Sequence, residues 1–341
     1  MNIFSDSKTI MTRIWIKLCV LLVLALPVSG YAVTFKIATL SPDGSGWMKV
    51  LRKYAKNVEE RTNGNVKFKF YPGGVMGDDK AVMRKMRVGQ LHGAVVTAGG
   101  VMHAYPDINL YALPMAFESA AEVDAVRKVM DAKLMEGLAQ KKFIGFGLAE
   151  VGFAYPMTQA SASSVNGVRQ MKVWTPDNDP GAIAAFDAFN ISPIPLPIAD
   201  VLAGLQTGLI NAVATPPIGA IALQWHTQVE YGLELPLLYV YGLLTMSERS
   251  FKKLSAPEQV IVREELGRAV AEVDAASRRD HDSAYAALTA QGLNWVKPSG
   301  DELGEWRRLA DQARARLIAN DYVSKPLYDE MQVLIQQVRQ P

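Results

Sequence analysis

Between residues 34 and 97 the chain carries five strand and helix patterns in alternation, and no other feature of it constrains the fold as much. Thr34 to Leu40 is β-branched and alternates in polarity, as a half-buried strand does. The turn Ser41-Pro-Asp-Gly-Ser-Gly46 follows, and then Trp47 to Arg61 carries Met48, Leu51, Tyr54, Ala55 and Val58 at helical spacing. Asn63-Gly64 breaks that helix, and Val66 to Tyr71 alternates as a second strand closed by Pro72-Gly-Gly74. Asp78 or Asp79 can cap a helix with Val82, Met83 and Met86 inside, and Gly93 to Thr97 is a third, apolar strand. This order predicts an α/β fold with a parallel sheet and helices on its faces.

The pattern restarts downstream. Phe143 to Leu148 and Met171 to Thr175 read as strands, Asp200 to Thr207 as a short helix capped by Asp200 and closed by Gly208, and Asn211 to Thr215 as a strand stopped by Pro216-Pro217. Ser255-Ala-Pro-Glu258 is a capping box with proline in the first turn. It opens a helix of roughly 35 residues, about 50 Å long, with Val260, Ile261, Val270, Val273 and Leu288 as its apolar anchors and its end near Gly292. Such a helix outspans one small domain, so it is expected to bridge two lobes or bend around one.

The first 32 residues have the form of a secretory leader. Lys8, Arg13 and Lys17 precede an apolar run from Leu18 to Val28, and Gly30 and Ala32 are the small residues of a cleavage site, which predicts cutting after Ala32. The run is too short for the roughly 20 residues that span a bilayer. Cys19, the chain's single cysteine, lies in this leader, so the exported part has no thiol with which to build a disulfide or a metal site. Three of the 36 basic residues and one of the 34 acidic residues also lie there, leaving 33 of each. That balance, without basic clusters, argues against nucleic acid as a partner. The four histidines show no H-x-x-x-H spacing, and no Gly-x-Ser-x-Gly elbow is present. No enzyme, metal centre or cofactor is therefore expected; an exported hydrolase without a recognisable motif is a remote alternative.

Ile37-Ala-Thr-Leu-Ser-Pro42, Val58-Glu-Glu-Arg-Thr-Asn-Gly-Asn-Val66, Tyr71-Pro-Gly-Gly74, Gly77-Asp-Asp79, Arg87-Val-Gly-Gln-Leu91, Tyr105-Pro-Asp-Ile-Asn109, Leu205-Gln-Thr-Gly208 and Lys253-Leu-Ser-Ala-Pro-Glu-Gln259 follow one another in an informative order. From Phe35 to about Leu327 the chain resembles the extracytoplasmic substrate-binding proteins of TRAP transporters, the dicarboxylate-binding type. The resemblance implies a two-lobed periplasmic clamshell with the ligand cleft between lobes and a long bridging helix. The expected division is 1–32 leader, 33–151 plus 241–280 lobe I, and 152–240 plus 281–341 lobe II. The implied protein is a monomer that closes on a small molecule and delivers it to integral-membrane permease subunits; a sensor feeding a receptor is the alternative partner class.

The resemblance also marks departures at the ligand site. The family typically holds a carboxylate with an arginine in Lys-Ile-Arg-Thr-Pro, whose fork matches two carboxylate oxygens. The matching stretch here is Lys172-Val-Trp-Thr-Pro176, which puts Trp174 at the arginine position. Ala154 follows Gly152-Phe153 where some members have a second arginine, Thr215 stands where the family has a polar contact, and Leu40 ends the first strand where some have a polar residue. Trp47, Asp79 (cap first, ligand contact second), Thr97 and Tyr155 complete the candidate set, while Met115, Phe117, Trp225 and His226 read as structural. Charge leaves and an indole enters, so the expected ligand is apolar, aromatic or lipid-like and not a simple dicarboxylate; a cation on the indole face is a weaker option. An organic acid is the alternative, with Trp174 as packing and Arg169 or Lys172 reaching the ligand.

Overall fold

A computed structural model describes residues 32–177 and 180–340; the leader features read on residues 1–31 lie outside them. The chain runs β1 (Val33–Thr39), α1 (Gly46–Arg61), β2 (Val66–Tyr71), α2 (Asp79–Arg87), β3 (Gly93–Thr97), α3 (Ala98–Val101), α4 (Ala120–Gln140) and β4 (Phe143–Thr158). It continues through α5 (Val165–Arg169), β5 (Trp174–Pro176), α6 (Pro180–Ala188), β6 (Ile194–Leu196), α7 (Val201–Gln206), β7 (Ala212–Thr215), α8 (Pro217–Ala222), β8 (Tyr231–Leu233) and β9 (Leu238–Ser247). The last elements are α9 (Glu248–Phe251), α10 (Ala256–Ala290), β10 (Asn294–Val296), α11 (Gly300–Ala319) and α12 (Lys325–Arg339).

The expected βαβ alternation is present, but the sheet is mixed where a parallel one was expected. Its order is β10-β8-β4-β9-β3-β1-β2, with β7 also on β4. β1 and β3 are parallel, whereas β9 enters antiparallel between β3 and β4. β4 is the second difference: the strand read at Phe143 to Leu148 continues to Thr158. Three glycines and Pro156 interrupt its apolar pattern, and the structure absorbs two of the glycines as bulges. Gly147 and Gly152 have φ of +127° and +120°, and the pairing with β9 shifts register beside each. A Cβ at these positions would lie 3.1 Å from Val270 Cγ1 and 2.9 Å from His281 Nδ1, so glycine lets α10 lie close against the strand. The first part of β4 pairs with β9 and its last four residues with β7, which makes this strand a rail between the two halves of the sheet.

α10 has the predicted length of 35 residues and its capping box, with the Ser255 amide donating to Glu258 at 2.9 Å. Val270, Val273 and Leu288 are buried anchors as expected, but Val260 is exposed and Val262 takes its place inside. At its start α10 is pinned to α1: Glu265 accepts from Asn57 at 3.0 Å and Arg61 at 2.7 Å, and Glu272 from Lys53 and Tyr54. Farther along it packs on β4 and then α8, so it bridges the two halves of a two-lobed fold. No helix among the described residues is long and apolar enough to cross a membrane.

Among the described residues, apolar clusters support these halves. The largest joins β1, β3, β9 and α4 and also takes Leu317, Met331 and Ile335 from the C-terminal helices. A second gathers Val165, Val173, Phe189 and Trp306, and a third Met157, Trp174, Val213 and Trp225.

Candidate functional site

A cavity of about 390 Å³ opens where β1, β3 and α2 face β5, β7 and α6, within the size range of small-molecule sites. Five of the eight candidate residues line it: Leu40, Asp79, Thr97, Trp174 and Thr215. The other three do not. Trp47 lies over Gly242 of β9, with its ring carbon 3.5 Å from where a Cβ would stand. Ala154 is buried in the β4–β9 pairing, and Tyr155 turns into an aromatic cluster with His281, Tyr285 and Trp295. Ala154 is a candidate by its place after Gly152-Phe153, and its pairing opposite Leu238 keeps it inside the sheet, while Tyr155 packs in the aromatic cluster instead of along the cavity.

Trp174 forms wall. It is 7% exposed, its indole N–H donates to the Leu196 carbonyl at 2.9 Å, and its ring meets Trp225 edge-on at 5.1 Å. Trp225, read as structural, is buried and also lines the cavity. The two basic residues beside Trp174 are engaged elsewhere. Arg169 donates to the Phe189 carbonyl at 2.8 Å and to Asn166, and Lys172 donates to the Gly208 carbonyl at 2.7 Å; neither lines the cavity. Among the described lining residues the basic ones are Lys80 and His103.

On the opposite wall the helix cap is Asp78, which accepts from the Ala81 amide at 2.7 Å. Asp79 is not the cap. Its carboxylate turns to the cavity and accepts from the Thr97 amide at 3.1 Å and the Thr97 hydroxyl at 2.7 Å. Asp200 precedes α7 without a side-chain cap bond.

A buried polar network beneath the cavity was not foreseen. Tyr239, a lining residue on β9, donates to Glu150 at 3.1 Å and accepts from Arg127 at 3.3 Å. Arg127 also holds Asp274 at 2.8 Å and the Leu148 carbonyl at 3.0 Å, and Arg278 donates to Glu150 at 2.8 Å. These bonds tie α4, β4, β9 and α10 together under the ligand space. No local motif announces them, because the partners lie up to 147 residues apart.

A second cavity, of about 550 Å³, lies beside α11 and α12. Its arginines are held by protein groups: Arg307 by Glu118, Arg314 by Asp311 and Arg339 by Glu122.

The model of bacterial extracellular solute-binding protein family 7 (DctP) matches residues 37–321. The chain belongs to this family. As a member of family 7 it is a solute-binding protein and not an enzyme. It is similar to the 2,3-diketo-L-gulonate-binding periplasmic protein YiaO of Escherichia coli K12, with 28% identity over 48% of this chain. That match spans about half the relative's length, 51%. Two solved relatives share the fold. A TRAP periplasmic solute-binding protein from Ralstonia eutropha H16 with bound (S)-2-acetolactate has a TM-score of 0.83 at 18% identity, covering 90% of this chain and 100% of that one. The sugar acid binding protein from Advenella mimigardefordensis in complex with galactonate has a TM-score of 0.82 at 18% identity, covering 90% and 99%.

One wall of the cavity titrates. Burial raises the Asp79 carboxyl to about 6, with the two Thr97 bonds only partly opposing the shift. A carboxyl raised on folding stabilises the fold at low pH and loses that contribution as pH rises through about 6. A shift of about 2 units corresponds to up to about 3 kcal/mol. Asp79→Asn, which keeps an acceptor for Thr97, is therefore expected to melt higher than the parent at pH 8, with the gap closing by pH 4. Melting curves across that range test this, and a gap independent of pH would refute it.

Proposed function

We propose that the chain captures a small organic acid outside the cytoplasm and presents it to the membrane subunits of its TRAP transporter. The observation that carries this reading is the cavity between the two halves of the sheet, in a fold whose relatives are described with 2,3-diketo-L-gulonate, acetolactate and galactonate as ligands. All three are carboxylates, which favours the organic-acid reading over an apolar ligand without an acid group. The arginine expected of a carboxylate site is replaced here by Trp174, so the acid is met by other groups, and Lys80 and His103 are the basic lining residues.

Capture works through the rails. β4 and β9 pass between the halves, and a ligand touching both walls binds the closed form better than the open one. It shifts the equilibrium by that difference in affinity and no more. The leader is removed after Ala32, so the working protein begins at Val33.

The test is native mass spectrometry of the chain exported in its own host. An intact mass beginning at Val33, with a co-purifying acid whose uptake is lost when the permease genes are deleted, is expected. A bound neutral molecule, or uptake unaffected by the deletion, would overturn the reading.

A further inference from the structure

Most of the donors around the cavity are already in use. Trp174 gives its N–H to Leu196 at 2.9 Å, Tyr239 its hydroxyl to Glu150 at 3.1 Å, and Tyr241 its hydroxyl to the Ile108 carbonyl. Thr97 donates to Asp79 at 2.7 Å, and Asn109 to the Pro106 carbonyl at 3.3 Å. Each of these groups thus has a donor committed to a protein acceptor before any ligand enters. On the β5–β7 side the wall is completed by the Trp225 indole and by apolar Phe186 and Ile198. A ligand hydroxyl seated against Phe186 and Ile198 gives up water and gains no partner, at a cost of roughly 10-fold in affinity for each one left unpaired.

Charge narrows the ligand further. The ionisable lining residues are Asp78, Asp79 and Asp177 against Lys80 and His103. Three acidic side chains stand against two basic ones, so a second carboxylate on the ligand meets more acidic than basic neighbours. A single carboxylate can be directed to the Lys80 and His103 side, away from the aromatic wall.

We infer that this protein selects a monocarboxylate with an apolar aromatic or aliphatic body, seated against Trp174 and Trp225, and discriminates against sugar acids and dicarboxylates. This rests on the organic-acid reading and sharpens it: the features that admit the body are those that exclude polyols.

Calorimetric titration of the ligand-free protein from Val33 onward with phenylacetate, hexanoate, galactonate and succinate tests this. One of the first two is expected to bind at least about 10-fold tighter than either of the others. Asp79→Asn, which removes one cavity carboxylate, is expected to narrow the gap to succinate while leaving the gap to galactonate. Tightest binding of galactonate or succinate, or binding of none of the four at millimolar concentration, overturns the selectivity. The neutral amides phenylacetamide and hexanamide separate the two levels of the argument. If an amide binds as well as its acid, the organic-acid reading itself falls.

Discussion

Replacing Arg127 by alanine is expected to lower the unfolding free energy by about 3–5 kcal/mol, the usual loss when one partner of a buried ion network is removed. The Arg127 side chain is 11% exposed and serves Asp131, Asp274, the Leu148 carbonyl and the Tyr239 hydroxyl at once. Without it Asp274 keeps only its bond from the Glu150 amide, and Asp131 only that from Tyr111. Arg127→Lys restores the charge but not the planar fork, so it recovers part of the loss. Urea denaturation of the three proteins reads the effect directly. A loss below about 1 kcal/mol for the alanine variant would mean that water replaces the guanidinium. Because Tyr239 lines the cavity and is held by Arg127 and Glu150, ligand affinity is expected to fall with stability, although Arg127 itself does not line the cavity.

Trp174→Ala is the second large effect, about 3–5 kcal/mol from the void left by a buried indole and the Leu196 carbonyl left without its donor. Trp174→Phe keeps an aromatic face for Trp225 but still strands that carbonyl, and costs about 1–3 kcal/mol. The two variants separate packing from recognition. If Trp174 is the seat of the ligand's apolar body, affinity for phenylacetate falls far more in the alanine variant than in the phenylalanine variant. Equal affinities in both, after correction for the fraction folded, would leave Trp174 as a structural side chain alone.

Much of the first half of the fold was legible because its elements are local. β2 and β3 fall on the predicted residues, β1 and α1 differ by one, and α10 has the length its capping box and periodicity implied. α4 went unread although Val123, Val126, Met130, Leu134 and Leu138 recur at helical spacing and are fully buried. Asp79 was readable as a polar residue near a helix start, but a sequence pattern cannot say which of two adjacent aspartates turns inward. Packing against Thr97 decides that.

By itself, the sequence determined the α/β alternation, the long bridging helix and, through the order of its motifs, the family, because each depends on neighbours within a few turns of chain. Tertiary structure alone decided the antiparallel insertion of β9 beside β3 and the length of β4 across two glycine bulges. It also decided the direction of Trp174 and the Arg127–Glu150–Asp274 network. These depend on which remote groups meet. A hydrogen bond between residues more than a hundred positions apart leaves no period in the chain, and its energy appears only once the sheet has brought both ends together.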